Sequence, residues 1–163
     1  MSEIDIVAGN IFDCTEDIIC HQTNCQGVMG HGIALQVKNR YPVVFEAYTD
    51  LCKHWAGDKE DLLGRTLIVD TKTDKYIANI FGQINYGEGL QTDYERLKKG
   101  LIVVRDYAEE NNLSVAIPYK IGCGLANGDW NIVYQDIVDV FKNSSVPCKI
   151  YRFERNEKYG KNS

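Results

Sequence analysis

Two periods organise the apolar residues of this chain. Short, largely apolar runs occur at Ile4–Val7, Ile18–Cys20, Thr66–Asp70, Lys75–Phe81, Leu113–Ile117 and Val146–Phe153, and each reads as a strand. Between them the apolar positions take helical spacing. Ile33, Val37 and Tyr41 are four apart, which predicts a helix from about Gly32 to Asn39. Val44, Tyr48, Leu51 and Trp55 carry a second helix, with Pro42 in its first turn. Leu97, Leu101, Val104 and Ala108 form one stripe of a third. Thr92 and Glu95 stand as a capping box at its start, and Asn111-Asn112 end it. Trp130, Val133, Ile137, Val140 and Phe141 mark a fourth helix. Segment 57–60 reads as a charged loop and segment 82–91 as a glycine-rich one.

Strands that alternate with helices predict an α/β fold: four to six strands in a central sheet, covered by helices on both faces as three α/β/α layers. The polar turn Thr71–Asp74 joins two of the strands as a hairpin, so the sheet is expected to be mixed. The 163 residues fit one domain, expected over 1–154 and followed by a charged, loose tail over 155–163. A chain this long buries about 70% of its extended surface and folds without staples.

The most informative stretch is Ile18–Ala34, IICHQTNCQGVMGHGIA. A strand empties into a turn bearing Gly27, Gly30 and Gly32, and a helix follows. Glycine lets a backbone approach a ligand, and the free N–H groups of a helix start point at negative charge. Ile117–Asn131, IPYKIGCGLANGDWN, repeats the plan. In an open α/β sheet, ligands lie beyond the carboxyl ends of the strands, where both turns fall. The two turns are therefore expected to grip one ligand carrying two phosphates. Neither is a G-x-x-x-x-G-K-[ST] or a complete G-x-G-x-x-G motif.

Charge and cysteines narrow the class. A net charge of −5 argues against a non-specific nucleic-acid binder. It leaves nucleotides open, because backbone amides hold phosphate without lysine. Six scattered cysteines include no CxxC pair. Cys20 with Cys25, or Cys52 with His54, fits no standard zinc spacing, and free thiols in a reducing cytosol are the better account. No metal or cofactor is expected. The N-terminus has no secretory pattern and no stretch is long and apolar enough to span a membrane, so a cytoplasmic monomer is expected.

Several polar residues have two readings. Asn24 can donate to and accept from sugar hydroxyls, or shape a turn. His21 could act as a base or contact ligand, but a histidine at a strand end is more often a hydrogen-bonded core residue. His31 lies within the first glycine turn, placed to donate to phosphate or to act as general acid or base. Asp129 is better read as the cap of the helix at Trp130, and Asp93 as a partner of a helix dipole. Tyr151 and Phe153 share one side of the last strand. One could stack on a base while the other serves the core.

The order AGNIFD … HQTNCQGVMGHGIA … PYKIGCGLANGDW … KIYRF resembles the macrodomains, an ADP-ribose-binding family. It is most similar to the branch that holds terminal ADP-ribose protein glycohydrolase and ADP-ribose 1''-phosphate phosphatase. The resemblance runs from Ile4 to about Glu154. It implies that Asn10, where the family usually has aspartate, reads the adenine amino group, and that Ile11 offers its backbone to the ring. It implies that the first turn, with Gly27, Val28, Met29, Gly30, Gly32 and Ile33, holds the distal ribose and one phosphate. Ile121, Gly122, Cys123, Gly124, Leu125 and Ala126 would hold the pyrophosphate through their amides, with Tyr151 near the adenine. The lysine and aspartate used by the glycohydrolase match Gln83 and Ala126, neither of which can form an adduct or donate a proton. The resemblance therefore implies hydrolysis by a held water, with His31 and Asn24 as the catalytic candidates. The expected activity is hydrolysis of an ADP-ribosyl bond on a modified molecule. The alternatives are phosphate removal from ADP-ribose 1''-phosphate and a reader that binds ADP-ribose without chemistry.

Overall fold

The computed structural model describes residues 4–154; the charged tail expected over 155–163 lies outside the described residues. Six strands form one sheet: β1 (Ile6–Ala8), β2 (Ile18–Thr23), β3 (Thr66–Asp70), β4 (Tyr76–Phe81), β5 (Val115–Pro118) and β6 (Cys148–Arg152). Their order is β1-β6-β5-β2-β4-β3. All neighbours are parallel except β3, which pairs antiparallel with β4 through the predicted hairpin. The sheet is mixed, as the hairpin predicts. Its central strands β2, β4 and β5 are buried on both faces, which is the reason for their continuous apolar runs.

The helices are α1 (Gly32–Arg40), α2 (Pro42–His54), α3 (Lys59–Leu62), α4 (Tyr94–Asn111) and α5 (Trp130–Phe141). Strand alternation divides the core into two. Ile18, Cys20, Ala78, Ile80, Val115 and Ile117 meet Leu97, Leu101 and Val104 of α4 and Val133 and Ile137 of α5. Ile19, Ile77, Phe81 and Ala116 face the other way, onto Val37 of α1, Val44 and Tyr48 of α2, and Leu62 of α3. Cys20 and Cys25 thus belong to opposite layers, which removes them as a ligand pair.

Three local expectations need correction. Segment 57–60 is not all loop: α3 begins at Lys59, because Leu62 is wholly buried and draws the turn onto the core. The cap of α4 is Asp93, whose side chain accepts from Arg96 N–H at 3.1 Å, not Thr92. Thr92 is turned inward, to a task in the site. The last strand is shorter than the predicted 146–153.

Candidate functional site

Because β2 and β5 are adjacent and parallel, the turns that follow them open at the same end of the sheet. The loop after β4 joins them. Ile84 C=O accepts from Cys25 N–H at 3.0 Å, and Gln91 N–H donates to Ala126 C=O at 2.9 Å.

The first turn is shaped by Asn24. Its Oδ1 accepts from Gln26 N–H at 2.9 Å, its Nδ2 donates to Val28 C=O at 2.9 Å, and the Tyr48 hydroxyl lies 2.8 Å from Oδ1. Asn24 is buried, and these bonds give its amide a positioning role in the turn. Gly27, at φ +83°, takes a left-handed conformation that a side chain would resist. Met29 points into the core and serves the turn by packing. Val28, Gly30 and His31 are exposed. His31 is the N-cap of α1 but makes no side-chain cap bond. The N–H groups of Gly32, Ile33 and Ala34, in the first turn of α1, meet no acceptor among the described residues.

The second turn follows the same logic. Gly122 has φ +74°. Its carbonyl accepts from Gly128 N–H at 2.9 Å and from the Thr92 hydroxyl at 2.6 Å, which closes the turn. The N–H groups of Gly124, Leu125 and Ala126 meet no acceptor among the described residues. Three successive free amides make an anion-binding concavity. Two of the six residues expected here act differently. Ile121 is buried and its N–H is spent on Pro118 C=O at 3.0 Å. Cys123 N–H is spent on Lys120 C=O at 2.8 Å, and its thiol turns to Ile121 C=O at 3.4 Å. Both anchor the turn and leave no amide for a ligand. Burial pushes the Cys123 thiol up to about 11, so it stays protonated at neutral pH.

A concavity of about 230 Å³ is lined by Gly9, Asn10, Ile11, Ile33, Gln36, Pro118, Tyr119, Tyr151 and Phe153, and so takes in Ile33 of the first free amide run. The resemblance groups Asn10, Ile11 and Tyr151; Ile33, expected with the distal ribose and a phosphate, lines the same concavity. Tyr151 and Phe153 both line it, so neither is reserved for the core alone. The Tyr151 hydroxyl donates to the buried Glu16 carboxylate at 2.5 Å, which fixes its ring. Asn10 Oδ1 accepts from Phe12 N–H at 2.9 Å and so caps the short 3-10 turn Ile11–Asp13. Gln36 and Tyr119 are additions. Helical spacing from Ile33 would have found neither, because Gln36 is polar and Tyr119 follows the strand-ending proline.

His21 takes the core reading that its strand-end position favours. It is 2% exposed, within β2, with Nε2 2.6 Å from Asn79 Oδ1. Asn79 Nδ2 donates to Leu67 C=O at 2.9 Å, so its oxygen faces the ring and the proton lies on Nε2. Nδ1 is buried without a partner. Charging the ring would create a second buried donor with nothing to accept it. Burial accordingly lowers the His21 pKa from 6.5 to about 4, against the opposing pull of Asn79. His21 sits in the core, held within the sheet by Asn79. Below pH 6.5 the unfolded chain takes up a proton that the fold refuses. Stability should therefore be level above pH 6.5 and fall by up to about 3 kcal/mol as pH drops toward 4. Urea unfolding across that range should show the slope, and His21→Gln, which keeps a donor, should flatten it.

Among the described residues no group of three or more His, Cys, Asp or Glu stands close enough to hold a metal, and no helix is long and apolar enough to cross a membrane.

The family model of the Macro domain matches residues 20–137, most of the chain and both glycine turns. This chain is a macrodomain. A curated relative from Mycobacterium tuberculosis, named DNA ADP-ribosyl glycohydrolase, is 34% identical over 139 residues, covering 83% of this chain and 38% of the relative. The macrodomain thus spans less than half the length of the first curated relatives it matches. An ADP-ribose 1''-phosphate phosphatase from Debaryomyces hansenii is 26% identical over 86% of this chain and 94% of its own. Among solved structures, the macrodomain of Mycobacterium tuberculosis DarG superposes with a TM-score of 0.79 at 32% identity, covering 91% of this chain and 96% of that one. The six-stranded mixed sheet with its flanking helices is therefore the macrodomain fold, as the sequence resemblance implied.

Proposed function

We propose that this macrodomain binds ADP-ribose and hydrolyses an ADP-ribosyl bond on a modified molecule. The observation that carries the reading is the pair of free amide runs, Gly32–Ala34 and Gly124–Ala126, at neighbouring strand ends. They supply directed donors for a diphosphate with no cationic side chain required. The adenine takes the concavity between Ile33 and Tyr151, and the distal ribose takes the exposed first turn beside His31.

The chemistry then needs a water. Its oxygen bonds to C1'' of the distal ribose while the bond from C1'' to the acceptor breaks. The electron pair leaves with the acceptor atom, which gains a proton, and the water loses one to His31 or to the substrate's own phosphate. Gln83, at the position matched to the family's lysine, cannot form an imine, so no covalent intermediate is required of this chain. The name of the mycobacterial relative makes ADP-ribosylated DNA the first substrate to test. A phosphatase reading is favoured by near full-length similarity to the Debaryomyces protein. In that case the water's oxygen bonds to the terminal phosphorus as the bond from phosphorus to the ribose oxygen breaks; the ribose oxygen takes up a proton and the water gives one up.

Side-by-side turnover decides between them: ADP-ribose released from modified DNA and from modified protein, and phosphate released from ADP-ribose 1''-phosphate. Release of ADP-ribose with little phosphate is expected. Binding without either release would leave a reader, and absence of calorimetric heat at millimolar ADP-ribose would end the proposal. His31→Ala should lower turnover by about a hundredfold and leave ADP-ribose affinity within about threefold. Unaltered turnover would take His31 out of the mechanism.

A further inference from the structure

Gln22 has no place in the binding scheme above, yet its amide reaches Gln83 and Thr92 on the segment that follows β4. It stands near the carboxyl end of β2. Its Nε2 donates to Gln83 Oε1 at 2.8 Å and to Thr92 Oγ1 at 2.9 Å. The direction of each bond is fixed by its neighbours. Thr92 gives its hydroxyl hydrogen to Gly122 C=O at 2.6 Å, and Gln83 gives its Nε2 to Asn85 C=O at 2.8 Å. Reversing the Gln22 amide would set two carbonyl oxygens against each other unless Gln83 released Asn85. The chain of bonds therefore has one sense, from Gln22 outward to both loops.

That arrangement leaves Gln22 Oε1 buried without a partner. It lies against two glycines: a Cβ at Gly82 would come 2.2 Å from it, and one at Gly122 would come 3.0 Å from it. An unpaired acceptor wedged between two glycine backbones is a departure from ordinary packing, and departures of this kind collect at functional sites. Thr92 is buried and forgoes the helix cap that its sequence offers, because its hydroxyl is committed to Gly122. The Gly122 carbonyl is also where Gly128 N–H closes the second turn.

We propose that Gln22 and Thr92 are positioning residues for the second turn: they hold the Gly122 carbonyl inward so that the amides of Gly124–Ala126 face the diphosphate. The same amide also holds Gln83 Oε1. This inference rests on the ADP-ribose reading of the site. It assigns the two residues no contact with the ligand.

The test compares Thr92→Val, Thr92→Ser and Gln22→Met with the parent, titrated with ADP-ribose and with adenosine by NMR, with thermal unfolding in parallel. Adenosine probes only the Ile33–Tyr151 concavity and carries no phosphate. Thr92→Val should weaken ADP-ribose by roughly tenfold and leave adenosine within about twofold, while Thr92→Ser, which keeps the hydroxyl, stays within about twofold for both. Loss of both ligands in equal proportion would mean a general structural role and would overturn the inference, as would parent-like ADP-ribose affinity. Should Thr92→Val fail to fold, Gln22→Met carries the same comparison, since it keeps side-chain length and removes both donors. A parent that takes up adenosine but no ADP-ribose removes the functional reading itself. Parent binding with an indifferent Thr92→Val removes only the positioning role.

Discussion

Gly124→Val is expected to unfold at the parent's temperature and to bind ADP-ribose on the order of a hundredfold more weakly. The two halves of that statement have separate causes. A Cβ built on Gly124 meets nothing within 4 Å, and the residue does not adopt a left-handed conformation, so the fold accepts a side chain there. In the proposed binding mode a phosphate enters that open space to reach the free N–H groups of Gly124, Leu125 and Ala126. Branched carbons in it would hold a phosphate beyond hydrogen-bond distance, and bonds to a charged group are worth about 1.5–3 kcal/mol each. Gly128→Ala is the control. Its Cβ would sit 2.5 Å from Gly122 C=O, so that variant should lose thermal stability along with affinity. Calorimetric titration with parallel thermal unfolding reads both. A Gly124→Val protein that binds like the parent would show that the diphosphate does not use this turn.

How much of this was legible beforehand follows from what each residue does. The three layers, the hairpin and both glycine turns could be read, because they depend on local patterns: apolar period, turn residues and strand-to-helix switches. His21 was legible only as a preference for the core, since β2 is buried on both faces and alternation then separates no core position from a ligand position. Thr92 misled for a different reason. Thr92 and Asp93 both suit a helix cap, and the choice was made by Gly122, 30 residues away, which takes the threonine hydroxyl. Ile121 and Cys123 sit in an anion turn by sequence, but their amides close the turn on itself. The adenine-sized concavity draws on segments near residues 10, 33, 119 and 151, and only the folded sheet brings Gln36 and Tyr119 together. Gln22 carries the same lesson. An amide between His21 and Thr23 shows nothing in one dimension, and its partners lie 61 and 70 residues away.

Tyr48→Ala should cost about 3–5 kcal/mol of stability, while Tyr48→Phe should cost about 1–3 kcal/mol and weaken ADP-ribose binding. Tyr48 is wholly buried on α2. Its ring stacks on Phe81 of β4, with centroids 5.7 Å apart and planes 18° from parallel, and Phe45 packs at 6.3 Å. Truncation to alanine removes that packing and opens a cavity between α2 and the sheet. The hydroxyl has a separate use. It lies 2.8 Å from both the backbone oxygen and Oδ1 of Asn24, and so steadies the residue whose amide spans Gln26 to Val28. Burial raises the phenol pKa well above its ordinary value, so the donor keeps its hydrogen at any working pH. Phenylalanine retains the stack but leaves Asn24 one donor short in a buried place, and the first glycine turn loosens. Urea unfolding should give both variants the parent's m-value with lower midpoints. Calorimetry should find the affinity loss in Tyr48→Phe larger than its stability loss predicts for a fully folded sample. Undiminished affinity in that variant would mean the first turn holds its shape without α2, and Asn24 alone would then bear the positioning role.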